Sequence, residues 1–404
     1  MASSSIRALI LYAAYTNLYS YFDDWLDAFK RSEHFATTAV NVLDGGVHGQ
    51  IAKGLQNSDI VILLHSMLGD GTNYLEPLIP LLQDRNCTLL AFVGNEVNLP
   101  GTRIADKRIV LKKIEPELVA TQLPIDAGEY LFGDLARHRV IAITHALNPL
   151  RFTPPVSRAP RNIDIGVRAA RYLPHLGDDD RNLIHDYFEE NAQRHGLSVD
   201  VSDQRLDREG WAAFLVRSRG TVSTEAGSWY VERDDRTVEA IRAWANVRAR
   251  APFVVGENSI LNSVYKNLPD SLRALVRQLK NTGIVQHEIA AAQELSFDDV
   301  YQRFFSNYTR PEYYGKCISS RHFDAIGTKT CQIMFPGRFN DILVADEHYI
   351  ALERNFSNIE DVLLRFADHA YVEEMVNRTH EMVTNNHTYR HRLAEIHREL
   401  DDLI

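Results

Sequence analysis

The constraint that weighs most on this chain is a rhythm. Short aliphatic runs alternate with helical segments, the alternation stops once, and it then restarts. Ile6 to Ala13, Thr37 to Leu43, Ile60 to Leu64, Cys87 to Val93 and Val140 to Thr144 have strand length and composition, while Tyr21 to Arg31 and Leu75 to Gln83 carry helical spacing. Strand, helix and strand in that order build a parallel sheet covered by helices. A Pro- and Arg-rich segment from Asn148 to Asn162 interrupts the pattern and reads as a linker. The rhythm resumes with a strand at Ile163 (IDIGVRA), a helix after Asp178 to Asp180, a strand at Ser198 to Ser202, a helix over Trp211 to Ser218 and a short strand at Thr221 to Ser223. A length of 404 residues exceeds what one hydrophobic core usually supports, so two α/β domains are expected. Their bounds are set at 1–150 and 163–385, with a linker at 151–162, a helix-rich insertion at about 230–302 and a terminal helix at 386–404. Apolar positions from Val372 through Met375, Val383, Leu393 and Ile396 to Leu400 keep helical spacing.

Composition narrows the partners. The net charge is −10, from 44 basic and 54 acidic side chains, and there is no long basic tract. A nucleic-acid duplex needs a concentrated basic face, so none is expected as a partner. A small anion needs only a few local arginines. Three scattered cysteines, Cys87, Cys317 and Cys331, are too few for a disulfide framework or a structural zinc site and read as reduced. The N-terminal apolar run reads as a first buried strand and not as a signal peptide. No stretch reaches the ~18 consecutive apolar residues of a membrane span. The expected location is cytoplasmic, with room for a peripheral contact at the inner membrane face. The sequons at Asn307, Asn355, Asn377 and Asn386 carry little weight without a secretion signal.

The segment Cys317 to Leu363 reads CISSRHFDAIGTKTCQIMFPGRFNDILVADEHYIALERNFSNIEDVL. It resembles the donor-binding part of group 1 glycosyltransferases, and more narrowly the C-terminal domain of CgeB-type proteins. The resemblance is fullest over about residues 315 to 400 and extends to the hinge, through Phe152 and Pro154, and to 163–235. It implies a GT-B fold, two Rossmann-like domains facing across a cleft, with the terminal helix crossing back to the first domain. It also implies a nucleotide-diphosphate sugar as substrate in the second domain, UDP- or GDP-linked, and an acceptor hydroxyl from a glycan, a lipid-linked sugar or a protein in the first. No separate cofactor is implied. If the chain follows group 1 relatives, the anomeric configuration is retained.

Site candidates follow from that chemistry. Glycosyl transfer needs recognition of the nucleoside, stabilisation of the departing phosphate and an aimed acceptor hydroxyl. The resemblance places Asp324, with Ala325 and Gly327, at the start of a helix under the sugar nucleotide, where a carboxylate can hold two ribose hydroxyls. A helix-end acid compensating the dipole is the plainer alternative. Ser319, Ser320, Arg321, Gly327 and Thr328 surround it, small residues and a guanidinium suited to phosphate. Lys329 is as well explained by solvation. The family pattern has a second glutamate where this chain has Lys316, and Glu225, in a Gly-containing loop, is the candidate replacement for it. Arg168, Arg171 and Arg181 follow the first strand of the second domain, where ligands of parallel sheets bind. His65, at the end of the strand DIVILL, is the candidate base for the acceptor, with a structural histidine as the alternative. Asn17, Tyr19, Asn95, Glu96, His145 and Asn148 share the same topological logic without an assigned step.

Asp178-Asp179-Asp180 and Asp234-Asp235 suggest a metal site. Their contexts point instead to helix capping and to local ion pairs with Arg233 and Arg236, so no obligatory metal is expected. The tail residues His387, Arg390, His391 and Arg392 read as a basic solvated helix face. Two alternatives to the transferase stay open: an epimerase or hydrolase acting on sugar nucleotides in the same cleft, and a sugar-binding scaffold without turnover.

Overall fold

β1 (Ile6–Tyr12) is the strand from which the first sheet grows, and Ala8 to Leu11 are shielded on both of its faces. The computed structural model describes residues 5–155, 161–248, 295–309 and 311–404. Six parallel strands lie in the order β2 (Phe35–Asn41), β1, β3 (Ile60–Leu63), β4 (Thr88–Phe92), β5 (Leu118–Thr121) and β6 (Arg139–Ala142). Leu9, Leu11, Val61, Leu63, Leu89 and Ala91 face one core, together with helices Val47–Asn57 and Ile104–Ile114. Ile10, Ile60, Ile62, Leu90 and Phe92 face the other, with Trp25 and Phe29 of the helix Ser20–Lys30. Burial on both faces is why these runs are continuously apolar instead of alternating.

The second sheet has five parallel strands in the order β13 (Ile350–Ala351), β12 (Cys331–Met334), β9 (Ser218–Ser223), β7 (Ile163–Arg168) and β8 (Val199–Ser202). The chain is therefore α/β with two parallel sheets, as expected. A two-stranded ribbon joins β10 (Ala226–Gly227) to β11 (Lys316–Cys317). The helix Ser320–Gly327 enters after β11, and Asp207 caps the helix Arg208–Arg217 by accepting the Gly210 N–H at 2.8 Å.

Each sheet reverses its direction of growth once, between β1 and β3 in the first and between β7 and β9 in the second. Ligands of open parallel sheets bind outside the strand carboxyl ends at such reversals. Loops from both reversals line one cavity of about 1370 Å³.

The final helix, Tyr389–Leu400, lies against the first sheet, where Tyr389, Leu393, Ile396 and Leu400 join Trp25 and Phe29 in the core. Backbone bonds from Leu147 N–H to His387 O at 2.9 Å and from Tyr389 N–H to Leu147 O at 3.2 Å tie it to the hinge. The tail is not a solvated basic face throughout. Arg392 is buried and donates to Thr144 O at 3.2 Å, while Arg390 pairs outside with Glu33 at 2.9 Å.

Several expectations on local structure change. The helix expected over Leu75 to Gln83 is broken into a 3₁₀ turn, Glu76–Leu78, and a short helix, Ile79–Gln83, because Pro77 and Pro80 each lack an N–H. The strand expected from Thr37 begins at Phe35, and the strand expected from Thr221 begins at Ser218. Most of the expected insertion at 230–302 lies outside the described residues. Its described ends are the helices Arg236–Arg248 and Phe297–Phe304, and Tyr230, Ile241, Val300 and Phe305 pack together there.

Candidate functional site

The cavity is walled by the first domain on one side and the second on the other. Tyr15 and Tyr19 come from the loop after β1, Asp70 from the loop after β3, and Asn95 and Glu96 from the loop after β4. Across from them stand Arg171 and Tyr172 after β7, Arg181 of the helix Asp180–Asn191, Arg205 after β8, Ala226 and Gly227 after β9, and Ser319 to Arg321.

Arginines dominate the second wall, and their partners separate them into two groups. Arg171 makes two bonds of 2.6 Å to the Asp186 carboxylate. Arg168, away from this cavity, stacks over Phe214 and pairs with Asp200 at 2.7 Å. Two of the three arginines that sequence position suggested, Arg168 and Arg171, are thus neutralised. Arg181 lies over the Tyr172 ring at 3.9 Å and Arg205 over the Tyr19 ring at 4.5 Å, and neither forms an ion pair with a described residue. Arg321 has no ion pair with a described residue either. Burial, then Arg205 and Arg181, lower its pKa to about 9. Three guanidinium groups therefore border the cavity, and Arg205 and Arg181 both act against the charge on Arg321. Arg205 was not among the sequence candidates; its place in the loop following a strand carboxyl end was the signal available.

The helix Ser320–Gly327 presents its first turn to the same wall. Ser319 N–H donates to His322 Nδ1 at 3.0 Å, while a helix leaves its first N–H groups without internal partners. Ser319, Ser320 and Arg321 border the cavity. Gly327 and Thr328 do not, because the far end of an eight-residue helix is about 10 Å away. A Cβ on Gly327 would come within 2.6 Å of Leu147 Cδ1 and Phe152 O, so glycine is needed there for packing against the hinge. Thr328 is fully buried and donates back to the helix at Ala325 O, 3.1 Å away.

Asp324 does not open the helix. It is the fifth residue of eight, and its Oδ2 accepts from Trp211 Nε1 at 3.0 Å and from Ser20 Oγ at 3.2 Å. It borders a small adjoining cavity of about 60 Å³ together with Arg168, and that cavity shares Arg205 and Arg321 with the large one. Burial, then nearby Asp24, push it well above the usual carboxylate range.

Glu225 is likewise enclosed. Its oxygens accept Tyr314 Oη at 2.5 Å and Phe339 N–H at 2.6 Å, and burial raises its pKa despite these bonds. Gly337 is required beside it, since a Cβ would come within 2.3 Å of Glu225 Oε2.

His65 is buried among Tyr21, Trp25, Phe92 and His145, and neither ring nitrogen has a hydrogen-bond partner among the described residues. Burial lowers its pKa to about 3. The ring is a neutral part of the core and does not border the cavity.

The aspartate runs are absorbed by side chains. Lys316 Nζ lies 2.7 Å from Asp178 and 3.0 Å from Asp180, and Arg354 pairs with Asp180 at 2.5 Å. Burial works against the Lys316 charge, yet Asp178 and Asp180 hold its pKa above the ordinary lysine value. Asp234 pairs with Arg236 at 2.6 Å as expected. Asp235 does not pair locally: it reaches the first domain, accepting Asn98 Nδ2 at 2.7 Å and Ala105 N–H at 2.8 Å.

No protein-family model matches the sequence, and no curated protein does. Among solved structures, the chain is similar to Anabaena Alr3699/HepE in complex with UDP-glucose, at 10% identity and a TM-score of 0.49, over 98% of this chain and 100% of that one. It is similar to the sucrose-phosphate synthase of Thermosynechococcus elongatus at 11% identity and 0.46, over 99% and 100%. A third such structure is AviGT4, a glycosyltransferase involved in avilamycin A biosynthesis, at 9% and 0.45, over 98% of each chain. Likenesses of this degree assign no role to any residue here.

Proposed function

We propose that the protein transfers a sugar from a nucleotide-diphosphate donor to an acceptor hydroxyl, in the assembly of a glycan or glycoconjugate. The observation that carries the reading is the convergence of Arg181, Arg205 and Arg321, without ion-pair partners among the described residues, beside the first turn of the helix Ser320–Gly327. Such a wall is unfavourable while empty and becomes favourable when a diphosphate lies on it.

The charge it meets grows during the reaction. As the bond from the anomeric carbon to the diphosphate oxygen breaks, negative charge collects on the leaving group, and fixed guanidinium groups stabilise that charge more than they stabilise the ground state. The proposal assigns this work to side chains, with the UDP- or GDP-sugar as substrate. A cavity of about 1370 Å³ exceeds the ~300–1,000 Å³ of most small-molecule sites, so it has room for donor and acceptor side by side.

A second reading, a sugar-binding scaffold without turnover, is favoured by the enclosure of Asp324, which the resemblance singles out, and of Glu225, the candidate for the glutamate missing at Lys316. The test is thermal stabilisation of the full chain by UDP, GDP, CMP and dTDP sugars, with Arg321→Gln beside the parent. A shift by one nucleotide family that disappears in the variant supports donor binding, and release of free sugar or product separates the enzyme from the scaffold. No shift with any nucleotide would overturn the donor reading.

A further inference from the structure

The first-domain wall of the cavity holds a carboxylate in a built setting. Asp70 lies in the turn behind β3, at the point where the first sheet reverses its growth, and it borders the cavity. Its Oδ2 accepts Tyr15 Oη at 2.7 Å and its Oδ1 accepts Asn95 Nδ2 at 2.5 Å. Burial, then Asp70, push the Tyr15 phenol far above its ordinary range, so Tyr15 stays the donor in this pair. A carboxylate offers about four lone-pair sites, and two donors leave capacity for a hydroxyl from the cavity.

Tyr15 also stacks on Tyr74, with ring centroids 5.2 Å apart and planes inclined by 23°, and both rings border the cavity. Aromatic faces are electron-rich and receive the polarised C–H face of a pyranose, while carboxylates and amides receive its hydroxyls. A long alkyl chain would leave Asp70 and Asn95 without use. Tyr19 borders the same cavity beneath Arg205, and its phenol is raised by burial and by Asp70, with Arg205 and Arg321 acting against them.

We infer that the acceptor is a saccharide bound on Tyr15 and Tyr74 with a hydroxyl on Asp70, and that Asp70 is the catalytic residue that takes its proton, an assignment resting on the donor site proposed above. The acceptor oxygen forms its bond to the anomeric carbon while the bond from that carbon to the diphosphate oxygen breaks. The electron pair leaves on the diphosphate against the arginines, and the acceptor proton passes to the Asp70 carboxylate. Asp70, which borders the cavity, takes the part that sequence position had suggested for the enclosed His65.

The experiment uses the full chain with methyl glycosides of glucose, galactose, mannose and N-acetylglucosamine as probes and undecaprenyl phosphate as the lipid comparison. Saturation-transfer NMR reads sugar binding with and without nucleotide, calorimetry reads UDP and GDP binding, and turnover is followed with the sugar nucleotide that binds. The expected result is saturation transfer from at least one methyl glycoside, reduced in Tyr74→Ala. In Asp70→Asn, nucleotide affinity stays within about twofold of the parent while transfer falls by on the order of 10²-fold or more and the acid limb of the pH–rate profile disappears. Tyr15→Phe, which keeps the ring and removes only the hydroxyl, raises KM for the acceptor. Parental transfer by Asp70→Asn would overturn the assignment, as would binding of undecaprenyl phosphate with no methyl glycoside bound. Loss of nucleotide binding in the parent would instead fault the donor site, and sugar binding at the tyrosine wall would still report on this one.

Discussion

The hydroxyl of Ser20 donates to the carboxylate of Asp324 at 3.2 Å, joining residues 304 positions apart across the seam between the two sheets. Trp211 Nε1 donates to the same oxygen at 3.0 Å. Asp324 therefore works as a structural acceptor whatever else it does. Asp324→Ala leaves a buried indole N–H and a buried hydroxyl without this partner, a loss of about 1–3 kcal/mol. A lower denaturant midpoint at unchanged slope would show it. Asp324→Asn keeps an acceptor oxygen and is expected to recover most of that stability; equal loss in both variants would mean that charge, not hydrogen bonding, holds the seam.

A second contact on the same seam responds to pH. Arg208 Nη1 lies 3.0 Å from both Asp24 and Asp27, and Asn148 donates to Asp24 at 2.7 Å. Carboxylates around Arg208 keep its pKa raised although burial opposes them, while one guanidinium shared between two carboxylates under-compensates the more buried one. Burial accordingly pushes Asp24 up from 3.8 to about 6, against the bonds from Asn148 and Arg208. The folded state thus holds the Asp24 proton more tightly than the unfolded chain does. The stability this proton contributes is full below about pH 4 and is lost as pH rises through about 6. A shift of about two units corresponds to about 3 kcal/mol. Asp24→Asn removes the titration, so the stability of the parent minus that of the variant should fall by this order between pH 4 and 7. A difference independent of pH would assign Asp24 an ordinary carboxylate pKa.

How much of this was legible in the sequence depends on where each property arises. β1, β3 and β4 could be read because burial on both faces writes itself as a continuous aliphatic run, whereas β5 (LVAT), as short as β3 (IVIL), carries only two large aliphatic residues and does not stand out. The second wall was legible as a location, since strand carboxyl ends can be placed from the rhythm, but not as a set of working residues. Arg171 and Arg168 look free in the sequence, and their partners Asp186 and Asp200 stand 15 and 32 positions later. Arg205 looks unremarkable in DQRLD, and in the fold it lies over the Tyr19 ring with no ion pair among the described residues. Partner choice is a tertiary property and has no local signature.

Lys316 shows the same effect with a consequence for stability. Read against the family pattern it is a missing glutamate; in the fold its ammonium is buried between Asp178 and Asp180, the latter 136 positions earlier. Lys316→Ala strands the buried Asp178 carboxylate, while Asp180 keeps Arg354, and is expected to cost about 3–5 kcal/mol. Lys316→Glu, which installs the residue that the resemblance implies at this position, adds a third negative charge and should be worse than alanine. Chemical denaturation of both variants decides, and a stable glutamate variant would show that Asp178 and Asp180 accept protons or re-pair with Arg354 at little cost.

The arginine wall ties function to instability in a way that can be measured. Arg181 and Arg205 repel Arg321 in the unliganded protein, as the lowered pKa of Arg321 reflects after burial itself. Arg205→Met keeps an apolar stem over the Tyr19 ring and removes one of the charges. The unliganded variant should therefore melt at or above the parental temperature, the opposite of what loss of an ordinary ion pair does. Its affinity for a nucleoside diphosphate should fall by about tenfold to hundredfold, the loss of a charge-assisted hydrogen bond of ~1.5–3 kcal/mol. The remaining affinity should depend less steeply on salt, because one fewer cation contributes to it. Paired thermal melts and calorimetry at two ionic strengths separate the outcomes. Destabilisation with unchanged affinity would make Arg205 a packing residue on Tyr19, and stabilisation with lost affinity would identify it as part of the diphosphate site.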